Sequence, residues 1–371
     1  MAEKTGVSLT SIMDFPTVVV EQLGSLWITT AEELVGAARQ TGPEGLASYL
    51  SITVDEVTGL VNQAAEALPA TVSYDFDGVM SVGFGALDEP EGEPLDTGPV
   101  AYAPITLPAS ISLAEQMSPV RNQQNRGTCV AHACAAVREY LLEKDEVKDD
   151  LSEQFLYWAC KQQDGIPNIE GTFISTAMSV LEELGICPEQ IWPYKPNKVQ
   201  GNEGQGPPPI TAVESAKPYR IQNGEKIWPK QVIALKQKLA DGKPVAFAVP
   251  VYPYWLTNPV RTTGDVRMPL PGEDWPDKKT RGHAMCLVGY VDDPMVPGGG
   301  YFVLRNSWGT IWASKGEIPG YGRLPYAYMS EYGTAAYTAT VLPNLTETGI
   351  FPVKSRSHTF YDWLRRLFGG H

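Results

Sequence analysis

The sequence predicts an α+β protein with a helical half and a β half, preceded by a small all-α module. Apolar residues at three- and four-residue steps indicate helices in residues 8–68 and again in 129–185. Beyond residue 240, short apolar runs bounded by glycines indicate β-strands. At 371 residues the chain exceeds the usual length of one domain, so we expect more than one unit.

The composition is that of an ordinary globular protein, with 43% apolar and 19% charged residues. The longest strongly apolar run, residues 245–256, contains two prolines and is too short to span a bilayer. The first residues lack a positively charged segment followed by an apolar core. We therefore expect no secretory signal peptide and favour a cytoplasmic location.

The net charge of −14 is unevenly distributed along the chain. Residues 1–100 contain 16 acidic residues, and the only bases among them are Lys4 and Arg39. The remaining residues hold 27 acids and 27 bases. Because an acidic surface repels phosphate groups, the sequence predicts that this protein does not bind nucleic acid.

Residues 1–68 are predicted to form a helical module with an internal repeat. The stretch 23–34 resembles 46–57, and each copy has a threonine followed three residues later by a glutamate. This spacing is typical of the capping box at a helix start, here Thr30 with Glu33 and Thr53 with Glu56. The pattern resembles tandem helix-hairpin-helix units. Such units often bind DNA, but the basic residues are missing here, so we favour a packing or inhibitory role.

Residues 69–105 form an acidic segment rich in glycine and proline, without lysine or arginine. Such a composition predicts an extended linker, or a strap laid over another surface. Its glycine pair, Gly83 and Gly85, is too short a signal for a nucleotide site. Because the segment directly precedes the second unit, we interpret it as a candidate propeptide that crosses the cleft, with a cut near residues 97–107.

A polar loop that ends at Cys129 precedes an Ala-rich helix, and the rest of the chain is organised around this point. A cysteine at a helix start faces unpaired backbone N–H groups and the positive end of the helix dipole, which favours the thiolate. Six residues earlier, Gln123 brings an amide donor to the same loop. The pattern indicates a thiol nucleophile with half of an oxyanion hole.

Further helices are predicted from Ser152 and after Thr172, the latter ending at Gly185. Residues 195–217, rich in proline and glycine, are predicted to cross between the halves. A helix from Pro229 to about Ala240 then leads into three strand-like runs. These runs are residues 245–252, 285–290 and 301–305.

A thiol nucleophile needs a base, and imidazole suits that role because its unperturbed pKa lies near neutrality. Of the four histidines, His283 opens an apolar strand, and Asn306 follows 23 positions later. An amide oxygen on the second ring nitrogen would fix the orientation of the ring. His132 lies close to Cys129 on the same helix, and we interpret it as a polar core or cleft-wall residue.

Several segments together resemble papain-like cysteine peptidases over roughly residues 105–340. The resemblance implies a two-lobed papain-like fold with a cleft between the helical half and the β half. The segments that carry it are Ser118–Val137 around Cys129, Leu151–Gln154, Gly282-His-Ala-Met285, and Leu304-Arg-Asn-Ser-Trp-Gly-Thr-Ile-Trp312.

The resemblance also implies a role for each site residue. Cys129 is the nucleophile, His283 the base, Asn306 the residue that orients it, and Gln123 the oxyanion donor. No cofactor is implied, and no cluster of His, Cys and carboxylates stands at the spacing of metal ligands.

The resemblance further implies where the substrate lies. In the family, a glycine region before a helix pairs with the substrate backbone. Gly171 fits that role, and Thr172, at the position of a usual second glycine, is expected to narrow the cleft. Gly282 precedes the base on the opposite side. Trp308 is expected to shield the histidine–asparagine hydrogen bond from water.

Two departures from the family concern the scaffold. Arg126 replaces a common cysteine, so that disulfide is absent, and Val130 replaces an aromatic residue. Cys160 and Cys187 could pair with each other, but in a chain without a signal peptide we favour buried free thiols.

The tail, residues 346–371, has apolar residues at helical spacing with Arg365 and Arg366 on the opposite face. We expect it to dock on its own protein, and membrane-surface contact is the less favoured alternative. Its bases are candidate partners for the acidic segment.

The leading hypothesis is an endopeptidase, made as a zymogen, that acts on peptide or protein substrates without a cofactor. One alternative is a binding protein whose helical module recruits a partner while the peptidase fold is passive. Another is an aminopeptidase or transamidase on the same fold. The sequence leaves the oligomeric state open.

Overall fold

The N-terminal module consists of a short 3-10 turn and three helices. In the computed structural model, which describes residues 4–89, 106–143, 149–273 and 282–341, both predicted capping boxes are present at the starts of the second and third helices. They satisfy backbone N–H groups that a helix start otherwise leaves free. The helices are α1 (Thr17–Gly24), α2 (Ala31–Leu50) and α3 (Val54–Ala67).

The helical half is built around one buried helix, α4, whose first residue is Cys129. Alanines make α4 narrow, so α5 and α6 pack on one side of it and the sheet on the other. Ser152 caps α5 with its side chain, as the sequence predicts for a helix start there. The helices of this half are α4 (Cys129–Glu143), α5 (Glu153–Gln163), α6 (Ile174–Glu183) and α7 (Ala212–Ala216).

Seven strands of the described residues form one antiparallel sheet, in the order β2-β7-β3-β4-β5-β6, with β1 also paired to β4. They are β1 (Ser110–Ser112), β2 (Asn223–Lys226), β3 (Val245–Pro250), β4 (Gly282–Asp292), β5 (Gly300–Arg305), β6 (Tyr321–Pro325) and β7 (Ala335–Thr340). The helices α8 (Val232–Ala240), α9 (Val260–Thr263) and α10 (Tyr326–Tyr332) accompany the sheet. The predicted α+β fold is confirmed, and the three predicted strand runs correspond to β3, β4 and β5.

Central strand β4 is buried along most of its length and begins at the cleft between the halves. Its register with β3 puts His283 opposite Val249. Since α4 packs on β4, the start of this helix and the start of this strand meet at the cleft.

The N-terminal module packs against the β half and shares its apolar core. Gly36 of α2 lies so close to the loop before α9 that an added Cβ would be 2.7 Å from the Asn258 carbonyl oxygen. The amide of Met268 donates to the carbonyl of Leu26 at 3.0 Å. Trp27 stacks on Tyr301 of β5, with ring centroids 5.8 Å apart. The module is therefore an integral part of the fold.

The acidic segment leaves α3 and returns to the cleft. Its described end, residues 80–89, is called the strap below. The predicted cut region, at 97–107, lies mostly outside the described residues, and the predicted amphipathic tail, at 346–371, lies wholly outside them. Within the described ranges, the helices are too short or too polar to cross a bilayer.

Candidate active site

Cys129 lies at the bottom of the cleft, at the start of α4. The preceding loop is held by the amide of Gly127, which donates to Glu170 Oε1 at 2.6 Å. Backbone N–H groups of Ala284 and Gly85 are directed at the sulfur. Ala284 directly follows His283, so the start of β4, which carries the predicted base, lies against the start of α4.

His283 and Asn306 form the predicted hydrogen bond, 2.8 Å between Nε2 and Oδ1. The amide of Ser307 also donates to this oxygen at 2.8 Å, which identifies Oδ1 as the acceptor. Nε2 therefore carries the proton, and Nδ1 is left as the basic nitrogen. Nδ1 is buried and has no hydrogen-bond partner among the described residues.

Trp308 covers the histidine. Its ring stacks on the His283 imidazole with centroids 4.4 Å apart and an angle of 18° between the planes. Both residues are completely buried. The expected shielding of the His283–Asn306 hydrogen bond by Trp308 is therefore seen in the structure.

Gln123 is placed to donate into the cleft. Its Oε1 accepts from Ser307 Oγ at 2.5 Å, which leaves the NH₂ group facing the nucleophile loop. Nε2 donates to the carbonyls of Gly83 at 3.0 Å and Arg126 at 2.7 Å. Neighbouring Gln124 is exposed, whereas Gln123 is buried, so Gln123 remains the candidate oxyanion donor.

The strap runs through the cleft and pairs with both walls. On one wall, the amide of Thr172 donates to the Gly85 carbonyl at 2.9 Å, and the Leu87 amide donates to the Thr172 carbonyl at 3.1 Å. On the other, the Ala86 amide donates to the Gly282 carbonyl at 3.0 Å. Cys129 is consequently 0% exposed.

Two glycines allow this close approach. A Cβ added to Gly85 would be 1.9 Å from the carbonyl oxygen of Gly127, and one added to Gly83 would be 2.2 Å from that of Arg126. Between them, Phe84 places its ring edge-on to His283 and to Trp308, at 6.1 Å from each.

The predicted cleft residues divide into two groups. Thr172 and Gly282 present backbone groups to the chain in the cleft. The pairing predicted for Gly171 is instead made by Thr172, because the Gly171 amide donates to the Tyr157 hydroxyl and its carbonyl accepts from Lys161. The Thr172 hydroxyl donates to Asp164.

Burial also determines the protonation states of Cys129 and His283. Burial raises the pKa of the Cys129 thiol to about 11 and lowers the pKa of His283 to about 4. The backbone N–H groups of Ala284 and Gly85, and the Asn306 oxygen, oppose these shifts without overcoming them. The thiolate expected from the helix start is therefore not the stable form in this state, because desolvation outweighs the helix dipole.

His132 lies behind the nucleophile and is buried, as predicted. It does have partners: Nδ1 is 3.0 Å from the Thr128 carbonyl oxygen, and the ring packs edge-on to Tyr194 at 4.9 Å. Burial lowers its pKa to about 3. A neutral, enclosed imidazole of this kind fits a core residue.

Arg126 is a buried cross-link in the place of the absent disulfide. Its guanidinium donates to Gln154 Oε1 at 2.8 Å and to the Glu203 carbonyl at 2.9 Å. All five cysteines are free and buried, which includes Cys160 and Cys187.

Sequence reasoning missed the roles of Gly83 and Gly85, whose lack of a side chain lets the strap lie against the nucleophile loop. It also missed the role of Ser307, which orients Gln123. The glycine pair was visible in the sequence, but its function depends on contact with a loop 40 residues away. Ser307 lies within the Asn-Ser-Trp-Gly run, so its position between Asn306 and Trp308 was the sequence signal that could have pointed to its role.

Comparison with protein families and curated relatives agrees with this geometry. The family model described as papain family cysteine protease matches residues 107–338, more than half of the chain. A peptidase C1-like protein of Acanthamoeba polyphaga mimivirus is 26% identical over 242 residues, which covers 62% of this chain and 70% of that protein. Cysteine proteinase 1 of Entamoeba histolytica is 26% identical and covers 69% of this chain and 77% of its own length.

Solved structures show the same fold. Xylellain, a cysteine protease from Xylella fastidiosa, aligns over 74% of this chain and 100% of its own, with a TM-score of 0.57 and 24% identity. Digestive procathepsin L 3 from the larval midgut of Tenebrio molitor aligns over 87% of this chain and 98% of its own, with a TM-score of 0.51 and 18% identity. The family match, which spans Cys129, His283 and Asn306, places this chain in the papain family of cysteine proteases.

Proposed function

We propose that this cysteine peptidase is an endopeptidase made as a zymogen, in which the strap keeps the catalytic groups buried and neutral. Cys129, His283, Asn306 and Gln123 carry the catalysis. The observation that supports this most directly is the hydrogen bond from Gln123 Nε2 to the Gly83 carbonyl, because it fills the position of the oxyanion donor with the protein's own backbone.

Each group has a role in the reaction once the strap has left. Nδ1 of His283 accepts the thiol proton, and the Cys129 sulfur attacks the carbonyl carbon of the scissile peptide. Gln123 Nε2 and the Cys129 amide donate to the oxyanion of the tetrahedral intermediate. The imidazolium then protonates the leaving amine. A water, deprotonated by His283, hydrolyses the resulting thioester and restores the thiol.

The path of the strap favours an endopeptidase over an aminopeptidase. Phe84 lies against His283 and Trp308 on one side of the nucleophile, while Leu87 pairs with Thr172 on the other. The cleft therefore already accommodates an unbroken chain that extends past Cys129 in both directions. N-terminally blocked peptides should accordingly be cleaved at least as well as free ones, whereas an aminopeptidase would require the free amine.

Two features of the strap and one similar solved structure favour a zymogen. The strap pairs with both cleft walls, and it lies between the helical module and the peptidase region. The procathepsin L 3 structure is named as a proenzyme, and its alignment covers more of this chain than the peptidase region alone.

Substitution of a strap glycine tests the proposal. A Cβ at position 85 clashes with the Gly127 carbonyl, so Gly85→Ala should displace the strap and expose Cys129. We expect the intact variant to react with an irreversible peptidyl thiol reagent at least about tenfold faster than the parent chain, as the loss of 1.4 kcal/mol of strap binding would give. Mass spectrometry should locate the label on Cys129.

Gly59→Ala is the matched control, because Gly59 is exposed on α3 with no atom within 4 Å of an added Cβ. It should react like the parent. If Gly85→Ala folds and Cys129 remains as unreactive as in the parent, the strap is not inhibitory. If Cys129 is exposed but reacts no faster than another thiol, the assignment of the nucleophile fails.

A further inference from the structure

The wall of the cleft that pairs with the strap is held from behind by buried polar side chains. The wall segment, residues 169–172, has no regular secondary structure along most of its length. Three side chains reach it from α5 and the turn that follows: Tyr157, Lys161 and Asp164. All three contact backbone or side-chain atoms of the segment.

Lys161 and Asp164 form an ion pair, 2.7 Å between Nζ and Oδ2, with side chains only 1% and 0% exposed. Lys161 Nζ also donates to the carbonyls of Ile169 at 2.7 Å and Gly171 at 2.8 Å. Asp164 Oδ2 accepts from the Thr172 hydroxyl at 3.0 Å. Lys161 is therefore satisfied by Asp164 and by two carbonyls of the wall segment, whereas Asp164 is also held by the Ile166 amide, which donates to Oδ1 at 3.0 Å.

These contacts determine which backbone groups face the cleft. The Gly171 amide donates to the Tyr157 hydroxyl at 3.0 Å, so both polar groups of Gly171 point inward. Gly171 has a φ of +94°, a conformation that favours glycine. The amide and carbonyl of Thr172 are left facing outward, where they pair with the strap.

Stability alone is a weak reason to bury such a pair. The desolvation of two charges offsets much of their attraction, and apolar replacements of buried ion pairs are often no less stable. What an apolar pair cannot supply is the set of directed hydrogen bonds to Ile169, Gly171 and Thr172.

We propose that Lys161 and Asp164 are positioning residues for peptide binding, which hold the wall segment so that the backbone of Thr172 can pair with a substrate chain. This inference rests on the proposed peptidase function, and the strap serves as the built-in example of a bound chain. The pair acts on substrate affinity and leaves the reactivity of Cys129 itself unchanged.

The first test uses the intact chain. Thr172→Val keeps the backbone groups of Thr172 and removes the hydrogen bond of its hydroxyl to Asp164, together with the hydrogen bond to the Cys160 thiol. It should accelerate hydrogen exchange at the Leu87 and Thr172 amides at least about tenfold, which corresponds to the loss of about 1.4 kcal/mol of pairing with the strap. Thr172→Ser, which keeps a hydroxyl, should lie nearer to the parent chain than Thr172→Val. Lys161→Met should accelerate hydrogen exchange at these amides more than either Thr172 variant does.

Lys217→Met is the matched control, because Lys217 pairs with Glu214 at the same i,i+3 spacing on the surface. Exchange at Leu87 and Thr172 should not change in it. If Lys161→Met does not fold, the hydrogen-exchange rates of Thr172→Val alone decide the test. Unchanged exchange in folded Thr172→Val would overturn the proposal.

The second test separates positioning from general loosening, in the background of Gly85→Ala. There Thr172→Val should lower the rate at which a peptidyl thiol reagent labels Cys129 by about tenfold. Iodoacetamide does not pair with the wall segment, so it should alkylate Cys129 at an unchanged rate. Equal effects on both reagents would mean a merely structural role. Because hydrogen exchange requires no catalysis, an inactive enzyme would refute the proposed function without deciding this inference.

Discussion

At the scale of the residue, the site depends on which nitrogen of one imidazole is free. The Asn306 oxygen accepts from both His283 Nε2 and the Ser307 amide, so Nδ1 is left as the base. In the same cleft, Ser307 Oγ binds Gln123 Oε1 and thereby directs Nε2 at the oxyanion position. The single run Asn306-Ser307-Trp308 thus orients His283 and Gln123, and its tryptophan covers His283.

The two histidines next to the nucleophile should respond differently to substitution. In the Gly85→Ala background, His283→Ala should lower peptide turnover by about 100-fold or more, since it removes the general base. His132→Ala should keep most of the turnover but lower the free energy of unfolding by about 2–4 kcal/mol, because it leaves a cavity. Turnover and thermal unfolding of both variants check this. Loss of activity in a folded His132→Ala variant, with His283→Ala active, would reverse the assignment.

The buried His283 also predicts a pH dependence of stability. Its pKa is about 4 in the folded chain, below the ordinary value near 6.5, so the folded state resists protonation. The stability this gives is present above pH 6.5 and is lost as the pH falls from 6.5 toward 4. Between pH 7 and 4.5 the parent should lose about 2–3 kcal/mol more than His283→Gln does, by thermal unfolding. An equal loss in both chains would contradict the assignment of His283 as buried and neutral.

At the scale of the element, polar side chains replace covalent bonds around the cleft. Arg126 joins the nucleophile loop to α5 and to the segment around residue 203. Lys161 and Asp164 do the same for the wall at residues 169–172. Both sets of contacts use buried charged side chains with directed hydrogen bonds. The shape of the cleft therefore does not depend on disulfides, which require an oxidising environment.

Reduction should therefore leave the fold intact. All five cysteines are free, so a mild reductant should shift the thermal midpoint by less than about 2 °C, which is less than the shift expected for 1 kcal/mol. In the opened chain it should raise activity by keeping Cys129 reduced. Thermal unfolding with and without reductant, beside thiol counting on the denatured chain, measures both. A large fall in the midpoint would reveal a structural disulfide.

At the scale of the whole molecule, the helical module and the strap form one continuous device. The module is docked on the β half through Trp27 and Gly36, and the chain then returns to the cleft. The strap is thus anchored at its beginning by a folded unit and along its length by backbone pairing. Removing it requires release from the cleft, while the module can stay in place.

Proteolysis between residues 90 and 105 should not separate the two parts. The interface of the module is apolar and belongs to the common core, so the N-terminal fragment should co-elute with the peptidase region in size-exclusion chromatography. The fragments should separate only in denaturant. Gly36→Val places side-chain atoms against Asn258 and Pro259, and should promote separation of the nicked chain. Free elution of the fragment from the nicked parent would show that the module is a detachable propeptide.

The sequence by itself determined the peptidase family and the fold class. The helix starts at Thr30, Thr53 and Ser152 could be predicted because capping depends on side chains within three residues of the cap. Cys129, His283 and Asn306 could be assigned because each lies in a recognisable local run. The strands β1, β2, β6 and β7 were not predicted, since β1 and β2 have only three and four residues and β6 and β7 lack the continuous apolar runs of β3, β4 and β5.

Only the tertiary structure decided the state of the site. The strap can lie in the cleft because Gly83 and Gly85 fit closely against the carbonyls of Arg126 and Gly127. No local sequence pattern connects these two glycines to that loop. The wall at Thr172 faces the cleft because a buried pair on α5 turns Gly171 inward. The thiol is neutral because burial outweighs the helix start on which the sequence argument rested. Local patterns fix which groups are present, whereas desolvation and backbone contact depend on every segment that packs around them.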